Sequence, residues 1–420
     1  MKSEIMPLSY DILKNNNFRL LVLTRMTANM ALQSLAVIVG WQIYKLTGDP
    51  LMLGLIGLAE AIPAIIGSLF SGYIVDISTP HHVYKTCIGG LVLNLLFLLV
   101  VGGNFLSIPH TAVIPLLFLG IFVSGIARSF MMPAYFSITP QIVEKKDYAA
   151  ANAWTNTGFQ ISAICGPILA GLVYGFYGER SAWILPVSFM TLAFLSIISV
   201  HNLREYQKFD TKESVIENII DGWKFIIQNR MLLTIMALDM FAVLFGGAVA
   251  MLPAFAAQIL HVGPEGLGIL RTAPGIGAML AALYFALRPM RTFPLSRMLW
   301  AVAGFGACMI GFGLSTSFVI SLAFLAFSGL FDTISVIIRG TLKQLLTPDH
   351  MRGRVSAISS MFIISSNEIG SFESGVAARA LGLVPSVVFG GLMTLAVVGT
   401  TYYLTPALRK NTLDENSQAQ

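Results

Sequence analysis

The sequence predicts an all-α polytopic membrane protein with twelve transmembrane helices in two six-helix lobes. Of its 420 residues, 55% are hydrophobic and only 11% are charged, whereas a soluble domain carries roughly 25% charged residues. Its apolar runs are long and continuous and do not alternate, which excludes a β-barrel. At about 20 to 25 residues per span plus short turns, a chain of this length accommodates around twelve helices.

Turn residues such as Gly, Pro and Asn separate the apolar runs. The twelve predicted spans cover residues 18–44, 51–75, 83–106, 113–136, 150–177, 182–200, 231–260, 266–287, 295–314, 318–338, 355–378 and 384–404. They group into an N-terminal lobe, 18–200, and a C-terminal lobe, 231–405. The other predicted segments are a cytoplasmic N-terminal segment (1–17), a cytoplasmic linker (201–230) and a cytoplasmic tail (406–420).

Two stretches that lie half a chain apart resemble each other. Moving residues 125–171 along the chain by about 203 residues, onto 329–375, places Gln141-Ile142-Val143 over Gln344-Leu345-Leu346. A polar turn follows in both places. An offset close to half of the chain length is typical of a two-lobed carrier built by duplication.

Lysine and arginine are concentrated in alternate loops. The loops after even-numbered spans contain fifteen of them, whereas the loops after odd-numbered spans contain Arg180, with Lys45 and Arg379 at span edges. By the positive-inside rule, both termini and the even loops are cytoplasmic. The net charge of +5 is therefore interpreted as membrane topology and not as a nucleic-acid surface. We expect a monomer in the bacterial inner membrane.

The linker between the lobes has a helical pattern of apolar and charged residues. One face carries Val215, Ile219, Trp223, Phe225 and Ile226, and the other carries Glu213, Glu217, Asp221 and Lys224. The pattern predicts a short amphipathic helix that lies on the cytoplasmic membrane surface.

The cysteines and histidines are not placed for metal, disulfide or enzyme chemistry. Cys87, Cys165 and Cys308 lie far apart inside apolar runs, where cysteine acts as a small packing residue. All six histidines lie in loops or at span ends, and the sequence has no HExxH pair and no phosphate-binding Gly-Lys-Ser/Thr loop. We therefore expect no metal, no cofactor and no enzymatic activity.

Several charged residues fall inside the predicted spans, where an ionised group costs at least roughly 2.5 to 3.5 kcal/mol at the bilayer centre. They are Arg25, Glu60, Arg128, Asp239, Arg271, Asp332, Glu368 and Glu373. Each needs a partner, a water-filled cavity or a function.

The carboxyl groups are candidates for proton coupling. Glu368 lies fourteen residues beyond Arg354, about 20 Å into its span at 1.5 Å per residue. Asp332 and Asp239 also lie inside spans, and Glu373 is about 140° round the helix from Glu368, so the two glutamates do not both face one cavity squarely. Partial burial brings a carboxyl pKa towards neutrality. The alternative for Asp332 is an ion pair with Arg339 that only fixes helix packing.

A second set of residues is predicted to line a substrate cavity or to balance its charge. It consists of Arg25, Asn29, Gln33, Glu60, Arg128, Asn156 and Arg271. Arg25, seven residues into span 1, either balances an acid in the cavity or attracts an anionic substrate. Aromatic and Met side chains with a few polar groups suit a large amphipathic substrate.

Two motifs in the first half resemble those of a known family. Gly166-Pro167-Ile168-Leu169-Ala170-Gly171 bends span 5 and lets a neighbouring helix approach, and it resembles the span 5 signature of major facilitator superfamily antiporters. Gly72-Tyr73-Ile74-Val75-Asp76 resembles the first half of that superfamily's signature loop, in which the aspartate holds a gate closed. The sequence departs from the family where Ile77 replaces the expected arginine, and where Phe130-Met131 replaces the Gln-Gly expected near Arg128.

The second half resembles the drug-exporter branch that includes enterobactin exporters and macrolide efflux proteins. The most specific stretches are 344–355 (QLLTPDHMRGRV) and 366–375 (SNEIGSFESG). This resemblance implies the major facilitator fold, alternating access, and export coupled to proton entry, with a small amphipathic substrate, protons and membrane lipids as partners. A lysophospholipid flippase, a proton-coupled importer and a non-transporting receptor are the alternatives with the same fold.

Overall fold

The computed structural model describes residues 10–106, 109–201, 203–204, 215–288, 295–348 and 351–406. Helices account for nearly all of them. They are α1 Asn16–Thr47, α2 Pro50–Ile77, α3 Pro80–Gly102, α4 His110–Ile142, α5 Tyr148–Ile198, α6 Val215–Gln228, α7 Arg230–Phe245, α8 Leu252–Gln258, α9 Pro264–Leu287, α10 Leu295–Leu314, α11 Phe318–Leu346, α12 Arg352–Leu381 and α13 Leu383–Leu404. Short 3₁₀ turns cover Tyr10–Lys14, Lys145–Asp147 and Ala248–Met251.

These helices form the twelve predicted spans of an integral membrane protein. Within the described residues, ten helices are long and apolar enough to cross a membrane. One of them, α5, contains both span 5 and span 6, which are separated at Gly178 by a non-helical conformation (φ 81°, ψ −179°) that favours glycine. Span 11, α12, is not among the ten, although its 30 residues are long enough to cross a membrane. Counting α5 twice and adding α12 gives twelve.

The structure corrects three predicted span ends. Span 4 ends at Ile142 and not at Phe136. Span 3 ends at Gly102 and not at Leu106, because Asn104 takes a positive φ of 53° in the turn that follows. Span 10 continues to Leu346, eight residues beyond its predicted end at Ile338. Arg339 and Lys343, which the sequence places in a cytoplasmic loop, therefore lie within α11.

Span 7 is interrupted, although the sequence predicts one continuous helix over 231–260. Helix α7 ends at Phe245, a 3₁₀ turn follows, and α8 begins with Pro253 in its first turn. Proline has no backbone N–H to continue the helical hydrogen bonds. A Cβ on Gly247 would lie 2.8 Å from the carbonyl oxygen of Gly370 in α12, so glycine lets α12 contact the backbone of the break.

The internal repeat predicted from the sequence is also present in the positions where helices end and begin. Helix α4 ends at Ile142 and α5 begins at Tyr148, while α11 ends at Leu346 and α12 begins at Arg352, so both limits recur 204 residues later. In the turn between α4 and α5, the Oε2 atom of Glu144 lies 3.0 Å from Lys146 Nζ. This hydrogen bond and the charge of Lys146 lower the pKa of Glu144.

Contacts divide the chain into two compact units. Unit 1 contains Met1–Leu46, Ile62–Asp210 and Gly263–Gly268, and unit 2 contains Thr47–Ala61, Thr211–Val262 and Ile269–Gln420. Helices α2 and α9 thus contribute residues to both units. The domain limits given above stay a prediction.

A buried polar network joins three helices of unit 1. The indole N–H of Trp183 donates to Gln42 Oε1 at 2.8 Å, and Gln42 Nε2 donates to the carbonyl oxygen of Gly102 and to Glu179, both at 2.8 Å. The hydroxyl of Tyr174 also donates to Glu179, at 3.1 Å. Satisfied networks of this kind fix the relative position of the helices that contribute to them, here α1, α3 and α5.

The amphipathic linker helix is present as α6, and its apolar side packs on protein. Ile226 is fully buried in the core of unit 2, Trp223 contacts Phe362 of α12 with ring centroids 5.3 Å apart, and Asp221 forms an ion pair with Arg354 at 3.4 Å. The side chains of Trp223 and Ile226 therefore contact protein, and the position of α6 on the cytoplasmic membrane surface stays a prediction. Val215 and Ile219 have side chains outside the described set.

Helices α9 and α11 approach each other through glycines in unit 2. A Cβ on Gly329 would overlap the carbonyl oxygen of Pro274, and one on Gly277 would overlap that of Ala326. Backbone carbonyls cannot move aside as flexible side chains can. The crossing of these helices therefore depends on both glycines.

We predict that Gly329→Ala destabilises the folded protein by about 1 to 3 kcal/mol, the usual cost of overpacking. Gly340→Ala on the same helix is the matched control, because a Cβ there has no atom within 4 Å, and it should leave stability unchanged or raise it by up to about 1 kcal/mol. The measurement is thermal unfolding of both variants in detergent. Equal stability of the two variants would contradict the close approach of α9 and α11.

Candidate functional site

An ion pair lies inside unit 2 between α7 and α11. Asp239 is 6% exposed and pairs with Arg339, which is 9% exposed. The sequence offers Asp332 as the partner of Arg339, two turns away on one face, and the structure gives Arg339 a different partner on a neighbouring helix. Removal of one member of such a pair leaves an uncompensated buried charge, which costs about 3 to 5 kcal/mol.

Asp332 borders the same narrow cavity as Asp239, together with Ser335 and the apolar side chains of Val302 and Phe305. Asp332 is exposed, and within the described residues it forms neither a hydrogen bond nor an ion pair. Two of the carboxyl groups predicted for proton coupling therefore lie at one cavity. An arginine neutralises only one of them.

Glu368 belongs to a separate set of contacts. It is half-buried on α12, and its charge attracts Arg271 on α9. The beginning of α2 packs beside it, since a Cβ on Gly57 would lie 3.0 Å from Glu368 Oε2. The structure thus brings together one predicted proton-coupling residue and one predicted cavity residue.

The interruption of span 7 lies next to the same part of α12. Gly247 is close to Gly370 and Ser374, and a Cβ on Gly370 would lie 2.6 Å from the carbonyl oxygen of Leu244. Non-helical backbone at membrane depth is tolerated where it is buried in protein or lines a cavity, and interrupted helices build the binding sites of many transporters. In the sequence, the pair Gly246-Gly247 was the feature from which the interruption of span 7 could have been predicted.

The other predicted site residues include Glu373, Glu60, Arg128 and Asn156. Glu373 is half-buried on α12 and forms no hydrogen bond or ion pair with a described residue, and Glu60 is half-buried on α2. Arg128 on α4 and Asn156 on α5 are exposed. No group of three or more metal-ligating residues occurs within the described part of the chain.

Arg25 lies over an aromatic side chain in unit 1. Its guanidinium carbon is 4.4 Å from the ring centroid of Tyr135. The hydroxyl of Tyr135 is hydrogen-bonded to Thr155 at 2.7 Å, and the ring centroids of Tyr135 and Tyr84 are 6.2 Å apart. A cation–π contact stabilises an arginine by about 0.5 to 2 kcal/mol. No described carboxylate pairs with Arg25, so its charge is available to an anion.

Among the polar residues that follow Arg25 on α1, Gln33 and Ser34 contact α5. The buried Nδ2 atom of Asn29 has no hydrogen-bond partner in the described structure, and the Cβ of Gln33 packs beside Gly166. Ser34 donates to the carbonyl oxygen of Gly166 at 3.1 Å. Glycine at 166 permits this approach because a Cβ there would lie 2.9 Å from Gln33 Cβ.

The rest of the span 5 motif packs against the beginning of α9, within unit 1. A Cβ on Gly171 would lie 2.9 Å from the Cα of Gly268, and one on Gly268 would lie 2.5 Å from the carbonyl oxygen of Pro167. Gly72 and Asp76 lie in α2, and their side-chain surroundings are outside the described set. A gating role for them stays a prediction.

Comparison with known proteins agrees with this architecture. The chain is 23% identical over 400 residues to the enterobactin exporter EntS of Citrobacter koseri, and the match covers 93% of this chain and 92% of that protein. Its fold is similar to that of a POT family transporter in complex with 5-aminolevulinic acid (TM-score 0.74, 10% identity, 94% and 96% of the two chains). It is also similar to a bacterial homologue of the human lysosomal transporter Spinster (TM-score 0.72, 14% identity, 96% and 98%).

These identities are too low to assign the chain to a family, but a match to a family model does so. The model for the major facilitator superfamily matches residues 21–371, which include spans 1 to 10 and the part of α12 that carries Glu368. The match covers most of the chain and both carboxyl sets of unit 2. The protein is a membrane transporter that belongs to the major facilitator superfamily.

Proposed function

We propose that this protein is a secondary active exporter that couples proton entry to the export of a bulky organic molecule, such as a siderophore or a drug, by alternating access. One observation carries the proposal: Asp239 and Asp332 border one cavity within membrane-spanning helices, and an arginine neutralises only Asp239. An ionised carboxyl inside a membrane is costly. Asp332 can avoid that cost by taking up a proton.

Proton entry supplies enough free energy for this work. Moving one elementary charge across 100 mV is worth about 2.3 kcal/mol, and each 1.4 kcal/mol corresponds to a tenfold ratio of concentrations. One proton therefore drives a substrate gradient of roughly fiftyfold before any pH gradient is added. Glu368, Asp239, Asp332 and Glu373 form the proposed set of proton-coupling residues.

The first of the proposed substrate contacts are Arg25 and Asn29 in unit 1. Arg25 presents a cation above Tyr135, and Asn29 carries an unsatisfied amide one turn farther along α1. Gln33, Glu60, Arg128, Asn156 and Arg271 complete the proposed set. The similarity to enterobactin exporters supports a siderophore as one substrate class, and the basic loops support an inner-membrane protein with both termini in the cytoplasm.

The test is proton release from energised inverted vesicles that contain the protein and a luminal pH dye. The compounds are a catechol siderophore, a macrolide, a cationic dye and a lysophospholipid, added in turn. Dequenching by a compound, absent from vesicles without the protein, is the expected result and gives the substrate class. A response to the lysophospholipid alone would instead favour a lipid flippase, and no response from folded protein would contradict antiport.

We predict that Glu368→Gln reduces substrate-driven proton release to the level of vesicles without the protein. The substitution keeps the size of the side chain but removes the proton site and the charge that attracts Arg271. Glu144→Gln is the control, because Glu144 lies in a turn and half of its side chain is exposed, and exposed pairs contribute little. Gel filtration checks that both variants are folded. Normal release by Glu368→Gln would remove this residue from the mechanism.

We predict that Arg25→Gln raises the KM for an anionic substrate about tenfold, equal to about 1.4 kcal/mol, and leaves the KM for an uncharged substrate within twofold. The anion loses its positive partner, whereas an uncharged compound loses little. Arg25→Lys keeps the charge and should have an intermediate effect, because lysine lacks the planar group that stacks on Tyr135. Initial transport rates at several substrate concentrations give the KM values, and an equal rise for both substrates would contradict anion recognition.

A further inference from the structure

Arg25 lies over a buried pair of tyrosines in unit 1. Arg25 itself is half-buried, whereas Tyr135 beneath it is 4% exposed and Tyr84, which packs against Tyr135, is 1% exposed. A ligand therefore reaches the arginine and not the rings. The two tyrosines influence a ligand only through Arg25.

The hydroxyl of Tyr135 is held by a neighbouring helix. It forms a 2.7 Å hydrogen bond with Oγ1 of Thr155 on α5, and Thr155 is itself buried. Threonine hydroxyls inside helices often donate to the carbonyl one turn before, as Thr157 does to Ala153 at 2.9 Å. Within the described residues, the hydroxyl of Thr155 bonds to Tyr135 instead. The ring therefore cannot tilt or slide under Arg25 without breaking this bond.

The same face of α5 also fixes the backbone beside Arg25. Ser162 lies seven residues after Thr155, two turns along one face of the helix, and its hydroxyl donates to the carbonyl oxygen of Met26 at 2.8 Å. Met26 follows Arg25 directly in α1. Helix α5 therefore sets the position of both parts of the contact, the chain that carries the arginine and the ring on which the arginine lies.

The position of the ring decides where the donors of Arg25 point. A guanidinium group is planar, carries its five N–H donors in a rigid fork, and stacks on aromatic faces. With one face against Tyr135, the guanidinium binds an anion through its edge. A carboxylate fits that edge, because its two oxygens accept two parallel N–H bonds.

We propose that Thr155 is a positioning residue for anion recognition: its bond to Tyr135 orients the ring, the ring orients the guanidinium of Arg25, and the guanidinium binds a carboxylate group of the substrate. The inference rests on the recognition role of Arg25 in the proposed function and identifies the chemical group that is recognised. Thr155 does not contact the substrate and acts only through the other two side chains.

A purely structural bond between α4 and α5 has a different consequence. If the bond only held the two helices together, its loss would weaken the binding of every ligand of the site equally. If the bond orients Arg25, its loss weakens only ligands whose negative charge the arginine binds. An anionic compound and an uncharged compound of the same shape therefore separate the two roles.

The first test measures the binding of 2-naphthoate and 2-naphthamide, which differ in charge but little in shape, to purified full-length protein in detergent by isothermal titration calorimetry. We expect wild type to bind 2-naphthoate more tightly. Thr155→Val keeps the shape of the side chain and removes the hydroxyl. It should raise the Kd for 2-naphthoate about threefold to tenfold, the usual range for one hydrogen bond, and leave the Kd for 2-naphthamide within about twofold of wild type.

Two control variants test the hydroxyl itself and the effect of a threonine replacement in this helix. Thr155→Ser keeps the hydroxyl and should bind 2-naphthoate as wild type does. Thr157→Val removes a hydroxyl that bonds within α5, and it should also bind as wild type. Gel filtration checks that each variant is folded. An equal loss of affinity for both compounds in Thr155→Val would overturn the proposal.

The second test removes the other partner of the bond. Tyr135→Phe keeps the ring and loses its hydroxyl, so it should raise the Kd for 2-naphthoate to the same extent as Thr155→Val. Because both substitutions remove the same bond, the double variant should bind no more weakly than either single variant. Effects that multiply in the double variant would overturn the proposal.

These outcomes are separable from those of the proposed function, because binding needs no proton gradient. Selective loss of 2-naphthoate binding in Thr155→Val would support the proposal even if vesicles showed no substrate-driven proton release. Unchanged affinity in Thr155→Val would overturn the proposal and leave antiport untouched. A wild type without preference for 2-naphthoate would overturn the proposal together with the anion-recognition role of Arg25.

Discussion

A hydrocarbon environment offers no hydrogen-bond partner to the backbone and no solvation to a charge, and this constraint governs the whole structure. Helices satisfy it for the backbone by internal hydrogen bonds. Among the described residues, helical geometry is interrupted at Gly178, which separates spans 5 and 6, and at Gly246-Gly247 in span 7. The second break packs against α12, so protein atoms surround the backbone that left the helix.

The same constraint separates the charged residues into two groups. In unit 2, Asp239 pairs with Arg339 and the charge of Glu368 attracts Arg271. Asp332 and Glu373 form no ion pair with a described residue. In unit 1 Arg25 is a cation stabilised by the face of an aromatic ring. Acidic groups that exceed their partners suit proton uptake, and an uncompensated cation suits an anionic group of a substrate. Unit 2 therefore carries the proposed coupling residues, and the free cation of the proposed recognition set, Arg25, lies in unit 1.

The sequence was informative about features that depend on local pattern. Apolar run length predicted the twelve spans, and the repeat at about 203 residues corresponds to helix limits that recur 204 residues apart. Partners across helices were not predictable, because a one-dimensional pattern does not contain them. The sequence predicts Arg339 in a loop, because arginine is costly in a membrane span. Its burial is explained by the carboxylate of Asp239 on the neighbouring helix α7.

Helix α7 connects the two carboxyl sets of unit 2. Asp239 lies seven residues before Gly246, which is two turns or about 10 Å along the helix axis. The break that follows is held by backbone contacts: Gly247 against Gly370 and Gly370 against Leu244. Contacts between backbones leave little room for independent movement, because no flexible side chain can absorb a shift. Glu368 is two residues before Gly370, so the break in span 7 packs beside the segment of α12 that carries Glu368. The ion pair of Asp239 and the contacts of the break with α12 therefore lie within about two turns of each other along α7.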